Sequence, residues 1–397
     1  MVVLILLGLA IRLLLIPLPG FKIDVGDWFA WTIRLNEVGY SKFYSTQVFS
    51  DYTPGYMYVL GLLGIIKNVF QINDVGFYIL LKLPAVFIDI ALGVLIYTIT
   101  INSSKFYRLL AASLIFLNPA LIFNSSIWGQ IDSILAFFIL LTIYYLKKEA
   151  LILSSLTLGL AFIIKPQTIA IFPVFAFFLM KSFNVKKFLK LSLPFLSIIL
   201  ILSFPFFQNN ALIQLINLIF NTSKQYPYTS LFAYNFWGFI SFWINDGTIW
   251  NGLSYQLWGY ILFGIYWLML SYFYFKKNLS LYTLSALALL GFYFLPTRVH
   301  ERYLYPALVF LIVLIGINRS KVLFYLTISL SLIHLLNLYY VYVYYNEIYL
   351  KLPKILYSPI LYSFTDNNGQ FLSLLSISFF IIITVTLIKY DFVSKKT

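Results

Sequence analysis

The chain of 397 residues has no cysteine and only two histidines. Disulfide bridges are thereby excluded, and so are zinc sites built from cysteine and histidine at the usual spacings. Charge is also scarce: charged residues make up 10% of the chain, with 13 acids against 27 bases. Ordinary soluble domains carry roughly 25%. There is no phosphate-cradling Gly loop, no GxSxG motif, no internal repeat of the secondary-transporter kind and no soluble tail domain. Carboxylates could hold a divalent cation, but none is indicated and no cofactor is expected.

Apolar residues fill the space that charge leaves. They amount to 61% of the chain, and 40 Phe, 32 Tyr and 8 Trp make 20% of it aromatic. A single soluble core stops growing at roughly 250–300 residues, so this much apolar surface calls for lipid. The net charge of +14 does not mark a nucleic-acid partner. The bases stand singly or in small groups between apolar runs, which is what the positive-inside rule produces.

Stretches of near-spanning length fall at about 1–18, 54–70, 77–101, 107–124, 127–146, 149–165, 168–181, 188–206, 256–275, 280–296, 303–317, 322–345 and 370–390. The first lacks a small-x-small cleavage pattern before Pro17-Leu18-Pro19-Gly20 and reads as a retained anchor. One set of alternate junctions holds Lys105, Arg108, Lys147, Lys148, Lys181, Lys186, Lys187, Lys190, Lys276, Lys277, Arg319, Lys321, Lys389, Lys395 and Lys396, with only Glu149 and Asp391 among the acids. That set belongs in the cytoplasm. Parity then requires that 54–70 does not span, so that 19–76 forms one long external segment with amphipathic juxtamembrane helices. The expected fold is all-α and polytopic, with about 12 spans (11–13). The competing arrangement has thirteen spans, an external N-terminus and residues 19–53 in the cytoplasm. The chain divides into an N-terminal catalytic module, 1–206, and a C-terminal variable module, 207–397, with external segments 207–255 and 346–369.

In this topology the polar clusters collect on the external side. Asp24-Val-Gly-Asp27-Trp28-Phe-Ala-Trp31 opens a helix to about Val38. Asp24 and Asp27 read either as helix caps or as carboxylates placed to take a proton from an acceptor hydroxyl. Asp51-Tyr-Thr-Pro54-Gly is a turn or a sugar contact. Asn118-Pro119 and the run from Asn124 through Trp128, Gln130 and Asp132 fill a seam between spans, by capping or by lining a polar cavity that binds a sugar ring. Lys165 either snorkels to headgroups or receives a phosphate. Pro296-Thr-Arg298-Val-His300-Glu301-Arg302 is the densest cluster, and its arginines suit a phosphodiester. Asp89, inside a span, reads as a helix-to-helix partner. His334 reads as a satisfied packing histidine.

These motifs, in this order, resemble the GT-C superfamily of membrane glycosyltransferases that use polyprenyl- or dolichyl-phosphate sugars. Gly26-Asp27-Trp28-Phe29-Ala30 resembles the Gly-Asp-Phe-Glu-Ala block of its glucosyltransferases, and Asp51-Tyr52-Thr53-Pro54 their Asp-Tyr-Pro-Pro. Asn118-Pro119-Ala-Leu-Ile resembles an Asn/Gln-Pro-Gly-Leu-Ile segment. Trp128-Gly129-Gln130-Ile131-Asp132-Ser133 is similar to a prokaryotic mannosyltransferase-like form, and Val299-His300-Glu301-Arg302 to Val-His-Glu-Lys. Trp128 and Asp132 depart from the glucosyltransferase pattern and lean towards mannose.

The resemblance covers most of residues 1–310. It implies Asp27 as catalytic base and Lys165, His300 and Arg302 at the donor phosphate, with Arg298 added from its place in the same cluster. Asp24, Asp51, Trp128, Gln130, Asp132 and Glu301 are the expected sugar or acceptor contacts. The expected activity is inverting transfer of mannose or glucose from the lipid donor to a glycan, lipid-linked glycan or protein acceptor. A polytopic transporter or lipid flippase is the alternative. The short loops and absent cysteine point to the plasma membrane of a prokaryote, or to the endoplasmic reticulum in a eukaryote.

Overall fold

The computed structural model describes residues 1–45 and 48–393, is 78% helical and has almost no sheet. Lys395 and Lys396, counted in the charge asymmetry, lie outside the described residues. Among those residues, six helices are long and apolar enough to cross a membrane: Asp74–Ile99, Val185–Thr222, Tyr255–Lys277, Glu301–Asn318, Lys321–Tyr349 and Gly369–Lys389. Lys105–Leu117 and Pro119–Trp128 add a seventh as a pair bent by 40°. Four further apolar helices, Val2–Leu15, Leu151–Ile164, Pro166–Lys181 and Leu281–Phe294, are shorter. Lipid is the solvent such helices require, so the chain is an integral membrane protein. Each of the thirteen apolar stretches read from the sequence falls on a helix.

Five helices position the site. They are α1 (Val2–Leu15), α2 (Lys22–Val38), α3 (Pro54–Val69), α4 (Asp74–Ile99) and α5 (Lys105–Leu117). Buried Val25, Trp28, Trp31 and Leu35 of α2 pack against Tyr56, Met57, Leu60 and Leu63 of α3. Their i, i+3, i+4 spacing is a helical stripe. Gly55 lets the start of α3 touch the end of the Leu151–Ile164 helix, because a Cβ there would lie 2.5 Å from the Ile163 carbonyl oxygen.

α5 stops at Asn118 because Pro119 cannot donate to the helical ladder and disfavours helical backbone before it. The Asn118 carboxamide oxygen then accepts from Ala120 N at 2.9 Å and caps the next turn. That turn passes into a π-helix, Phe123–Trp128, which ends at Gly129 with φ +91, a backbone that glycine adopts without strain.

Asp89 of α4 is fully buried and has three partners. Arg12 Nε donates to it at 2.8 Å, Ser125 Oγ at 2.6 Å and the Tyr305 hydroxyl at 2.5 Å. Arg12 also donates to the Phe116 and Ile115 carbonyls. One carboxylate thus ties α1, α4, the broken seam and the helix beginning at Tyr305. His334 is buried as well, but neither ring nitrogen has a hydrogen-bond partner among the described residues, so it packs without being satisfied.

The largest cluster of buried apolar residues runs from Leu92 to Ile388, so residues 1–206 and 207–397 share one core. Segment 207–255 contains a helix, Ala211–Thr222, and a two-residue strand, Ser230–Leu231, that pairs in parallel with Val299–His300. The sequence reading had no strand there. The pairing lays this aromatic segment over the His-Glu-Arg turn.

Candidate functional site

A cleft of about 700 Å³, part of it open to solvent, lies between the first turns of α2, the Asp51 loop, the aromatic segment and the His300 turn. Asp24, Asp27, Trp28 and Trp31 line it from α2, Asp51 and Tyr52 from the loop, and His300, Glu301 and Arg302 from the turn. Tyr226, Phe232, Trp243 and Tyr345 complete the walls. Residues 24, 27, 28 and 31 fall on one side of a helix, which is why one short element delivers two carboxylates and two indoles.

Asp27 is half-buried and makes no hydrogen bond or ion pair among the described residues. Burial raises its pKa from 3.8 to about 7, and the charges of Asp24 and Asp51 add to the shift. Burial likewise raises Asp51 to about 6, with Asp24 pushing the same way and Arg302 opposing. Asp24 is held differently. Its Oδ2 accepts from Trp128 Nε1 and Gln130 Nε2, both at 2.7 Å, and Arg302 Nη2 lies 4.0 Å from its other oxygen. It does not cap α2: Phe21 stands at the N-cap and no side chain bonds there. The capping reading of Asp24 is therefore corrected, although a carboxylate in a first turn is still favoured by the helix dipole.

On the opposite wall Arg302 Nη1 donates to Glu301 at 3.0 Å and lies 3.3 Å from His300 Nδ1. Its Nε is buried with no partner among the described residues. An unsatisfied guanidinium donor is costly and suits an anionic ligand. Burial, reinforced by Arg302 and Lys165, drives the His300 pKa well below 6.5. His300 is therefore neutral and offers a ring nitrogen.

Four expected contact residues stand behind the wall. Trp128 is fully buried, stacked on Phe21 at 4.2 Å. Gln130 Oε1 accepts from Lys165 Nζ at 3.1 Å and from the Tyr52 hydroxyl at 3.2 Å. Lys165 itself is 4% exposed and donates to Asp132 at 2.6 Å, while Asn124 holds the other Asp132 oxygen at 3.1 Å. Burial lowers the Lys165 pKa, opposed by Asp132. These groups form a chain, Asp24–Gln130–Lys165–Asp132, that fixes the floor of the cleft without facing into it. Neither snorkelling nor direct phosphate contact describes Lys165 in this arrangement.

Arg298 is also outside the cleft lining. Its Nε and Nη2 grip Asp246 at 2.7 and 3.0 Å and its Nη1 donates to the Ser223 carbonyl. Thr297 adds a fourth bond, also to Asp246. The clamp fastens the aromatic segment to the turn. Sequence reasoning missed Asp246, although in a chain with 13 acids a lone carboxylate amid aromatics was a usable signal. Tyr226, Phe232 and Tyr345 gave no such signal, being three among many aromatics.

Among the described residues no group of three His, Asp or Glu side chains is arranged to hold a metal ion. No protein-family model matches the sequence, and no curated protein matches it.

Proposed function

We propose that the cleft is the active site of an inverting glycosyltransferase that moves a hexose from a polyprenyl-phosphate donor to an acceptor hydroxyl. The observation that carries this reading is the pairing of two unsatisfied groups across one cavity: the Asp27 carboxylate and the buried Nε of Arg302. A base with pKa near 7 is matched to proton transfer at neutral pH, and a guanidinium with a donor left unpaired is matched to a phosphate. Aromatic walls between them suit a sugar ring. With no family or sequence match, support for the GT-C reading rests on the order of the motifs and on this cleft.

In the proposed reaction Asp27 takes the proton of the acceptor hydroxyl as its oxygen attacks the anomeric carbon. The bond from that carbon to the donor phosphate oxygen breaks on the opposite face. The leaving phosphate accepts hydrogen bonds from Arg302 and from the His300 N–H, so no protein acid is needed. Glu301 and Asp24 hold Arg302 in place, and Asp51 is left for the sugar or acceptor. Lys165 and Arg298 act at one remove, through the floor and the clamp.

The topology proposed with it has about 12 spans, both termini cytoplasmic, and α2 and α3 lying along the external surface. The membrane is the plasma membrane of a prokaryote. The bent seam at Asn118–Pro119 is the kind of broken helix that transporters place at a substrate site, and it favours the flippase reading. Purified protein, radiolabelled polyprenyl-phosphate mannose or glucose and candidate acceptors distinguish the two. Covalent transfer supports the enzyme, whereas flux into vesicles without covalent product supports the flippase.

A further inference from the structure

A second cavity, of about 820 Å³ of empty space, lies on the other side of the start of α2. Thirteen of the described residues line it, and none of them is acidic. Its walls are the Ile16–Gly20 turn, Val25, Leu352 with Pro353, and Val75, Tyr78 and Ile79 from the first two turns of α4. Val75 is 73% exposed, so the groove opens sideways at the end of a helix long and apolar enough to span. Its two charges are both positive. Lys22 is exposed at the mouth, where its Nζ donates to the Tyr78 hydroxyl at 3.0 Å and lies 4.8 Å from that ring's centre.

Lys82 sits at the floor, 1% exposed. Its ammonium donates to the carbonyls of Ile16, Leu18 and Ser126 at 3.1, 2.5 and 3.2 Å. Those bonds use its three hydrogens, yet no carboxylate pairs with it among the described residues. A cation at membrane depth without a counter-ion is expensive, and an anion in the adjoining groove would offset it. Ile79 lies four positions after Val75 and Lys82 three further on, about 10 Å along a helix. That depth is suited to a headgroup and the first part of an acyl chain.

We propose that this groove holds one anionic phospholipid, with its phosphate at Lys22 over the charge of Lys82 and its acyl chains along Val75 and Ile79. Lys22 makes the direct contact because its ammonium has a single partner, Tyr78, among the described residues, whereas Lys82 contributes its field. The site is separate from the cleft: Lys22 and Val25 face the groove while Asp24 and Asp27 face the cleft.

The test is native mass spectrometry of the full chain in detergent, titrated with phosphatidylglycerol or phosphatidylcholine. The wild type is expected to prefer phosphatidylglycerol about fivefold, the effect of one lysine beside an anionic lipid. Lys22→Glu reverses that preference and lowers phosphatidylglycerol affinity by about thirtyfold, since the charge is reversed and not merely lost. Lys22→Arg keeps it. Millimolar glycerol 3-phosphate leaves the lipid bound, because the acyl contacts are missing from the soluble headgroup. Equal binding of the two lipids by the wild type, an unchanged preference in Lys22→Glu, or displacement by glycerol 3-phosphate overturns the proposal. None of these readouts involves sugar transfer, so they stand or fall independently of the catalytic reading.

Discussion

Asp27 is where the chemistry is most exposed to test. A general base works only when ionised, and burial beside Asp24 and Asp51 sets its pKa at about 7. Transfer is therefore expected to be full above that value and to fall as pH drops through it. In a kcat/KM profile the rising limb has its midpoint near 7, well above the ordinary carboxylate range. Arg302 makes a second prediction. Arg302→Lys keeps the charge but loses the fork, which should lower kcat/KM roughly 10- to 100-fold. Donor titration of the same variant shows whether the loss is in binding. Arg298 differs in kind, since its guanidinium is committed to Asp246, which is 1% exposed. Arg298→Ala strands that buried carboxylate and should cost about 3 kcal/mol of stability. Arg298→Met with Asp246→Asn should recover part of the loss in a thermal melt.

At the scale of elements, the Arg12–Asp89 pair is the test of the frame. Both side chains are fully buried, and Asp89→Ala leaves Arg12 uncompensated at a cost of about 3–5 kcal/mol. Arg12→Leu combined with Asp89→Leu should melt higher than either single variant. Asp89 was legible in the sequence as a helix partner because an acid inside a span needs one, but nothing in the pattern named Arg12, 77 positions away. The helices themselves were plain from apolar run length alone. Charge parity led to the expectation that the Asp27 helix and the His300 turn share one side, and both line the same cleft. Which face of each polar cluster turns inward was not legible. Trp128, Gln130, Asp132 and Lys165 read as cleft contacts, yet the first three flank a π-helix end with Gly129 at positive φ and stand behind the wall, where Asp132 holds Lys165. The parallel pairing of Ser230–Leu231 with Val299–His300 left no trace either, since two-residue strands carry no periodicity.

For the whole molecule the proposed sidedness is open to direct labelling, because the chain has no native cysteine. Lys224→Cys and Lys186→Cys both replace exposed residues. An impermeant thiol reagent applied to intact cells should label the first and spare the second; the reverse pattern inverts the topology. The same topology would bring the lipid donor's phosphate to the cleft from within the membrane and leave the acceptor to arrive from water. The most direct measurement compares wild type with Asp27→Asn at pH 8, using purified protein and radiolabelled polyprenyl-phosphate hexose, with both product formation and donor binding recorded. The substitution should lower transfer by roughly 10²–10⁴-fold while donor affinity stays near that of the wild type. An Asp27→Asn protein that transfers the hexose at the wild-type rate would contradict the account.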